Sequence, residues 1–286
     1  LYRIKNNMKN IKIALICCVI IFLSACQPDG NKKYINVGMV DGWAEGVAMT
    51  YVAKAVLEEL DYHLVIQRAT PDMILASMNN GDTDLYMDVW LPLTHGSKIA
   101  KFPNLVDIGT SYAHAKNGLV VPDYVPINSI EELKAHEDQF KHQIMGIEKG
   151  AGITAAVDQA IKDYDLNYRQ VNSSTVAMIT ELQNAIKEKR WIVVAAWQPH
   201  WMFGKMKLKF LEDPRESLGT AEQIKIFTRK EFPADQPELT RFFSQIHFDV
   251  ATMSNLLMKM QESKDKEATA KQWVADNRSL VASWLK

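Results

Sequence analysis

Apolar and polar positions recur along this chain with two different periods, and the changes of period mark its elements. Ile35–Val40 alternates with the period of two that a half-buried strand requires, and it ends at a Gly42-Trp43 turn. From Gly46 to Leu60, Val47, Val52, Val56, Leu57 and Leu60 fall at helical spacing. Leu64–Gln67 reads as a short strand. Pro71–Asn79 reads as a helix with Pro71 in its first turn and Gly81 just past its end. Then comes Asp84–His95, DLYMDVWLPLTH, a buried strand Leu85–Val89 that runs into Trp90. It must stop near Leu91-Pro92, because proline cannot donate to a sheet ladder. The β-α-β-α-β order predicts a mostly parallel sheet covered by helices.

Leu105–Gly109 and Gly118–Val121 read as two further strands, and Ser129 with Glu132 forms a capping-box signature for a short helix. A second α/β unit follows: strand Ile144–Ile147, helix Gly152–Lys162, strand Tyr168–Val171, helix Thr175–Lys189 and strand Ile192–Ala196. In the last of these helices Val176, Ile179, Leu182 and Ile186 make one apolar stripe. Strands Leu208–Leu211 and Ile224–Phe227 come next. The chain then turns helical over Leu239–Ile246, Val250–Gln261 and Ala268–Leu285, where Trp273 and Trp284 hold core positions. Two α/β units closed by helices predict an α/β protein of two lobes. Residues 34–118 and 219–286 would build one lobe, and residues 119–218 the other, inserted into it.

Charge alters this picture mainly at the start. The whole chain is near neutral, with a net charge of -1, and no basic run interleaves with aromatics, which excludes a nucleic-acid surface. Residues 1–26, however, hold Arg3, Lys5, Lys9 and Lys12 and no acid. A basic start, the apolar run Ile13–Leu23 and small residues before Cys26 form the pattern of an export signal. The run has about half of the ~20 residues that a spanning helix needs. Leu23-Ser24-Ala25-Cys26 also looks like a bacterial lipobox, which predicts cleavage of residues 1–25 and a lipid on Cys26. Residues 26–33 would then tether the fold to a membrane, on the outer side of the cell. Cys17 and Cys18 would leave with the signal, so the mature chain could form no internal disulfide.

Three tryptophans stand alike: Trp43, Trp90 and Trp197 each follow a predicted strand, at the edge where open α/β sheets bind ligands. One such residue alone would be read as core, and His95 alone as a surface residue. Three together suggest a shared crevice. A cage of indole faces suits a quaternary ammonium, which has no N–H to donate. Three faces at about 2 kcal/mol each give roughly 6 kcal/mol, short of the ~8 kcal/mol that micromolar affinity requires. A second handle on the ligand is therefore expected. His95 offers one; Gly150-Ala151-Gly152-Ile153, opening a helix directly after a strand, offers another, because helix-start N–H groups favour an anion. No nucleophile elbow, zinc motif or Cys-x-x-Cys occurs, and His200 beside Trp201 has no further ligand at metal spacing. Neither catalysis, a cofactor nor a metal is expected.

With Asp-Val-Trp90-Leu-Pro-Leu-Thr-His95 and Ala-Trp197-Gln-Pro-His-Trp201 in view, the chain resembles the glycine betaine-binding proteins of ABC transporters, from about Tyr34 to its end. The resemblance implies a two-lobed periplasmic-binding-protein fold (type II), monomeric, that closes on a trimethylammonium compound in the cleft and delivers it to a permease and its ATPase. By position, Trp43, Trp90 and Trp197 would surround the ammonium. His95 and the backbone N–H groups of Gly152 and Ile153 would hold the carboxylate. Leu93, Trp191 and Glu148-Lys149 depart from the family pattern, the last beside the expected carboxylate subsite. Choline or carnitine recognition on the same fold is the alternative, followed by an envelope enzyme or a structural lipoprotein.

Overall fold

One long strand ties the molecule together. In the computed structural model, which describes residues 33–286, β1 (Lys33–Met39) leads into α1 (Ala44–Glu58), β2 (Tyr62–Arg68), α2 (Pro71–Asn80) and β3 (Leu85–Leu91). After a single turn, α3 (Gly96–Ile99), the chain enters β4 (Leu105–Pro122), 18 residues long. The first part of β4 pairs antiparallel with β9 (Glu222–Arg229). The second part pairs antiparallel with β7 (Val194–Gln198) and β8 (Leu208–Phe210). Between them lie a 3-10 turn (Ile130–His136), β5 (Gln143–Met145), α4 (Gly152–Asp163), β6 (Arg169–Val171), α5 (Thr175–Glu188) and α6 (Met202–Lys205). The result is one curled nine-stranded sheet of order β2-β1-β3-β9-β4-β7-β5-β6, with β8 beside β4.

The parallel arrangement expected from the βαβ order holds for β2-β1-β3 and for β6-β5-β7, the outer strands of the two halves. The centre is antiparallel, because β4 and β9 run between the halves in opposite directions. Strands expected separately at Leu105–Gly109 and Gly118–Val121 are thus one strand. The polar stretch between them is not a loop: His114 and Lys116 face solvent while Ala115 and Asn117 are buried, the alternation of a paired strand. Its register shifts at three places along β9, which bends the strand without ending it. Pairing passes from β9 to β7 between Ala115, opposite Glu222, and Lys116, opposite Gln198.

Local chemistry accounts for most element ends. Pro71 opens α2 and Gly81, at φ 88°, closes it in a left-handed conformation that costs glycine nothing. Ser129 and Glu132 form the expected capping box, on a 3-10 turn. The helix read over Ala268–Leu285 is instead α10 (Lys266–Asp276) and α11 (Arg278–Trp284). Asn277 divides them: its side-chain amide donates to the Trp273 carbonyl at 2.8 Å and satisfies the end of the first helix. Together with α7 (Phe232–Asp235), α8 (Pro237–Gln245) and α9 (Val250–Glu262), these helices close the first half, α9 and α10 packing on α1. Trp273 and Trp284 are core, stacked at 6.3 Å with Phe248 against both. Val176 is the exception to the predicted stripe on α5. It is exposed, whereas Ile179 and Leu182 are buried. No helix among the described residues is long and apolar enough to cross a membrane. The export signal, Cys26 and most of the tether lie outside the described residues.

Candidate functional site

The six residues singled out in the sequence, Trp43, Trp90, Trp197, His95, Gly152 and Ile153, line one pocket between the two halves. Glu45, Thr94, Asn117, Ile147 and Ala151 complete its wall. Each indole arrives by a different route. Trp43 occupies the N-cap position of α1, directly after the Gly42 turn. Trp90 and Trp197 do not follow their strands as the sequence suggested. They lie within β3 and β7, whose ladders extend to Leu91 and Gln198, just short of the two prolines. The Leu91-Pro92 and Gln198-Pro199 bonds are both cis. All three indoles are at most 5% exposed.

The imidazole of His95 is fixed by a closed circuit. The Trp90 backbone N–H donates to His95 Nδ1 at 3.0 Å, and the His95 N–H donates back to the Trp90 carbonyl at 2.9 Å. Because Nδ1 accepts, the ring proton sits on Nε2. That atom is buried without a protein partner. Burial lowers the His95 pKa to about 3, so the ring is a neutral donor across ordinary pH. Trp43 stacks on it, with ring centroids 6.0 Å apart and planes 13° apart.

Opposite stands the start of α4. Gly152 and Ile153 are its first two residues, whose N–H groups have no intrahelical acceptor and carry the positive end of the helix dipole. A side chain at residue 152 would strike the carbonyl oxygen and methyl of Thr94. Glycine is therefore what allows this helix to meet the loop that carries His95. Thr94 cannot retreat readily, since its N–H donates to Glu222 Oε2 at 2.9 Å and Asn117 Nδ2 donates to its hydroxyl at 2.7 Å. Lys98 also spans the halves, donating to the Gly150 carbonyl at 3.0 Å.

Two acids stand behind the indoles, and sequence reading missed both roles. Trp90 Nε1–H donates to Asp88 Oδ1 at 2.7 Å, and Trp197 Nε1–H donates to Glu45 Oε2 at 3.0 Å. Burial pushes the Asp88 pKa up to about 7, against the lowering effect of the indole bond. Glu45 is raised well above the carboxylate range, first by burial and then by the charge of Asp88. Asp88 lies inside β3 and is 1% exposed. The available signal was an acid two residues before Trp90, hence on the same strand face. Glu222 gave no such signal, because its partners at Leu93, Thr94 and Asn117 are more than 100 residues away. The Glu148 departure is spent elsewhere: its carboxylate accepts from the Thr175 N–H and hydroxyl at 2.8 and 2.9 Å, at the start of α5. Trp191 packs on Phe140 and His136, and Leu93 is largely exposed. Among the described residues, no group of three or more His, Cys, Asp or Glu side chains could hold a metal ion.

An aromatic cavity between two halves joined by two crossing strands is the site of a binding protein. Residues 33–276 match the family described as the substrate binding domain of an ABC-type glycine betaine transport system, and the chain belongs to that family. Over 150 residues it is 41% identical to the glycine betaine/carnitine transport binding protein GbuC of Listeria monocytogenes. That match covers 51% of this chain and 50% of GbuC, so it spans about half the length of that relative. The fold is shared with lactococcal OpuAC, solved closed and complexed with glycine betaine, at a TM-score of 0.85 and 32% identity. The likeness covers 89% of this chain and all of that one. The glycine/betaine/L-proline-binding protein ProX of Borrelia burgdorferi also gives a TM-score of 0.85, at 31% identity over 89% of this chain and 97% of its own. These relatives are transport substrate-binding proteins, which as a class work outside the cytoplasm.

Proposed function

We propose that this protein captures glycine betaine, or the closely related proline betaine, and delivers it to an ABC permease and its ATPase for osmoprotection. The observation that carries the proposal is the pairing of opposite chemistries in one cavity. Trp43, Trp90 and Trp197 supply π faces, while His95 Nε2–H supplies an unpartnered donor and Gly152 and Ile153 supply helix-start N–H groups. The indoles would surround the trimethylammonium and the donors would hold the carboxylate. Roughly 6 kcal/mol from three faces, with about 1.5–3 kcal/mol per charge-assisted hydrogen bond, exceeds the ~8 kcal/mol of micromolar binding and leaves a margin for the cost of ordering the ligand.

Residues 34–118 with 219–286, and residues 119–218, act in this reading as the two bodies that close. The change of β4 partners near Ala115 supports it, since few covalent connections join the halves there. The lipobox sequence supports attachment through Cys26 as a monomeric lipoprotein on the outer side of a bacterial membrane. Choline or carnitine is the second reading, favoured by the acid on the cavity wall, Glu45. A thermal-shift screen with glycine betaine, proline betaine, choline and carnitine separates the two, because a ligand selective for the native state raises its stability by mass action. Calorimetry should then show loss of betaine binding in Trp90→Ala and in Trp197→Ala. Unchanged affinity in both refutes the cage.

A further inference from the structure

The cavity contains a charge arrangement that the tryptophans and donors leave unexplained. Its lining holds one carboxyl, Glu45, and no lysine or arginine. Glu45 is 1% exposed, and its one side-chain hydrogen-bond partner is the indole N–H of Trp197. Behind it stands Asp88, equally buried, whose Oδ2 has no partner and lies where a side chain on Gly46 would strike it. Two acids have thus been taken out of water beside an aromatic cage without any basic side chain to balance them. Such an arrangement is unfavourable in an empty protein, where an unpaired buried charge is costly. It becomes favourable when a cation enters.

We propose that Glu45 and Asp88 form an acidic floor that makes the cage selective for a permanent positive charge, beyond the shape and apolarity of three methyl groups. The inference rests on the betaine reading above. Each acid also turns one indole. Asp88 holds Trp90 from within the same strand, and Glu45, on α1, holds Trp197 across the cleft, so Glu45 reaches its partner only when the halves are together. Charge selection and closure are in this way linked through one carboxyl. The other titratable groups facing the pair are the Tyr86 hydroxyl, which both acids push further toward its neutral form, and His95, held neutral by burial. Lys98 and Asp72 also act on His95, in opposite senses. With Asp88 near 7 and Glu45 raised, the empty pair retains a proton at neutral pH, and a bound cation favours its release.

The test compares glycine betaine with 3,3-dimethylbutanoate, in which carbon replaces the ammonium nitrogen and only the positive charge is lost. Both are titrated by calorimetry into the full chain and into Glu45→Gln, which keeps an acceptor oxygen for Trp197. The wild type should prefer betaine, and the variant should lose about tenfold of that preference, with the uncharged isostere binding no worse. An unchanged ratio overturns the proposal. Should Glu45→Gln fail to fold, the wild type answers alone. Its preference should grow severalfold from about pH 6 to about pH 8.5, where both ligand carboxyls stay ionised. A flat ratio overturns the proposal. Absence of wild-type betaine binding would instead count against the functional reading on which it rests.

Discussion

Gly152→Ala is the substitution by which the closure of this site can be tested most directly. An added Cβ would overlap the Thr94 carbonyl oxygen and its methyl, and approach the Thr94 carbonyl carbon at 2.9 Å. Two of those three atoms are backbone. Thr94 is held by Glu222 and Asn117, so the clash is relieved by moving α4 away from the His95 loop rather than by rotating a side chain. A retreat of about an ångström takes the Gly152 and Ile153 N–H groups beyond hydrogen-bond range of a carboxylate seated against His95. Loss of one such bond costs about 1.5–3 kcal/mol, which is roughly 10- to 150-fold in affinity. Alanine is otherwise a better helix residue than glycine by about 1 kcal/mol, so the unliganded variant should melt no lower than the wild type. Calorimetric titration with glycine betaine gives the affinity, and small-angle scattering with and without ligand gives the closure. Affinity within twofold of the wild type, with full compaction, would refute the reasoning.

The remaining predictions concern acidity and packing. Burial lowers His95 and His200 to about 3, below the unfolded value, so each contributes stability that is present above about pH 6.5 and lost as pH falls. Asp88, raised to about 7, works in the opposite sense, since the folded state holds more protons between about pH 4 and 7 and gains stability on acidification there. Asp88→Asn removes that opposition, so chemical unfolding at a series of pH values should show a steeper acid loss, by up to ~1 kcal/mol per pH unit. Identical slopes in the two proteins would count against the shifted carboxyl. Trp273→Ala opens a cavity in the Trp273-Trp284-Phe248 stack, remote from the ligand site. Urea unfolding should show a loss of about 3–5 kcal/mol, with betaine affinity retained by the folded fraction.

Local pattern determined much of this protein. The βαβ order of the first half, the capping box at Ser129, the glycine stop after α2 and the core tryptophans of the last helices all follow from forces that act within a few residues. The three indoles, His95 and the Gly152 helix start were also visible, because side-chain type and position at a strand or helix end are properties of short segments. Tertiary structure decided how they meet. Whether Lys116 and Asn117 belong to a loop or a strand depends on partners at Gln198 and Trp197, which no local period reveals. The burial that raises Asp88 and Glu45 above the range of ordinary acids arises from α1, β3 and β7 converging. Glu222 gains its place at the His95 loop only by pairing of β9 with β4 across more than a hundred residues. Hydrophobic period is a one-dimensional signal, whereas desolvation and hydrogen-bond partnership are set by the neighbours that the fold supplies.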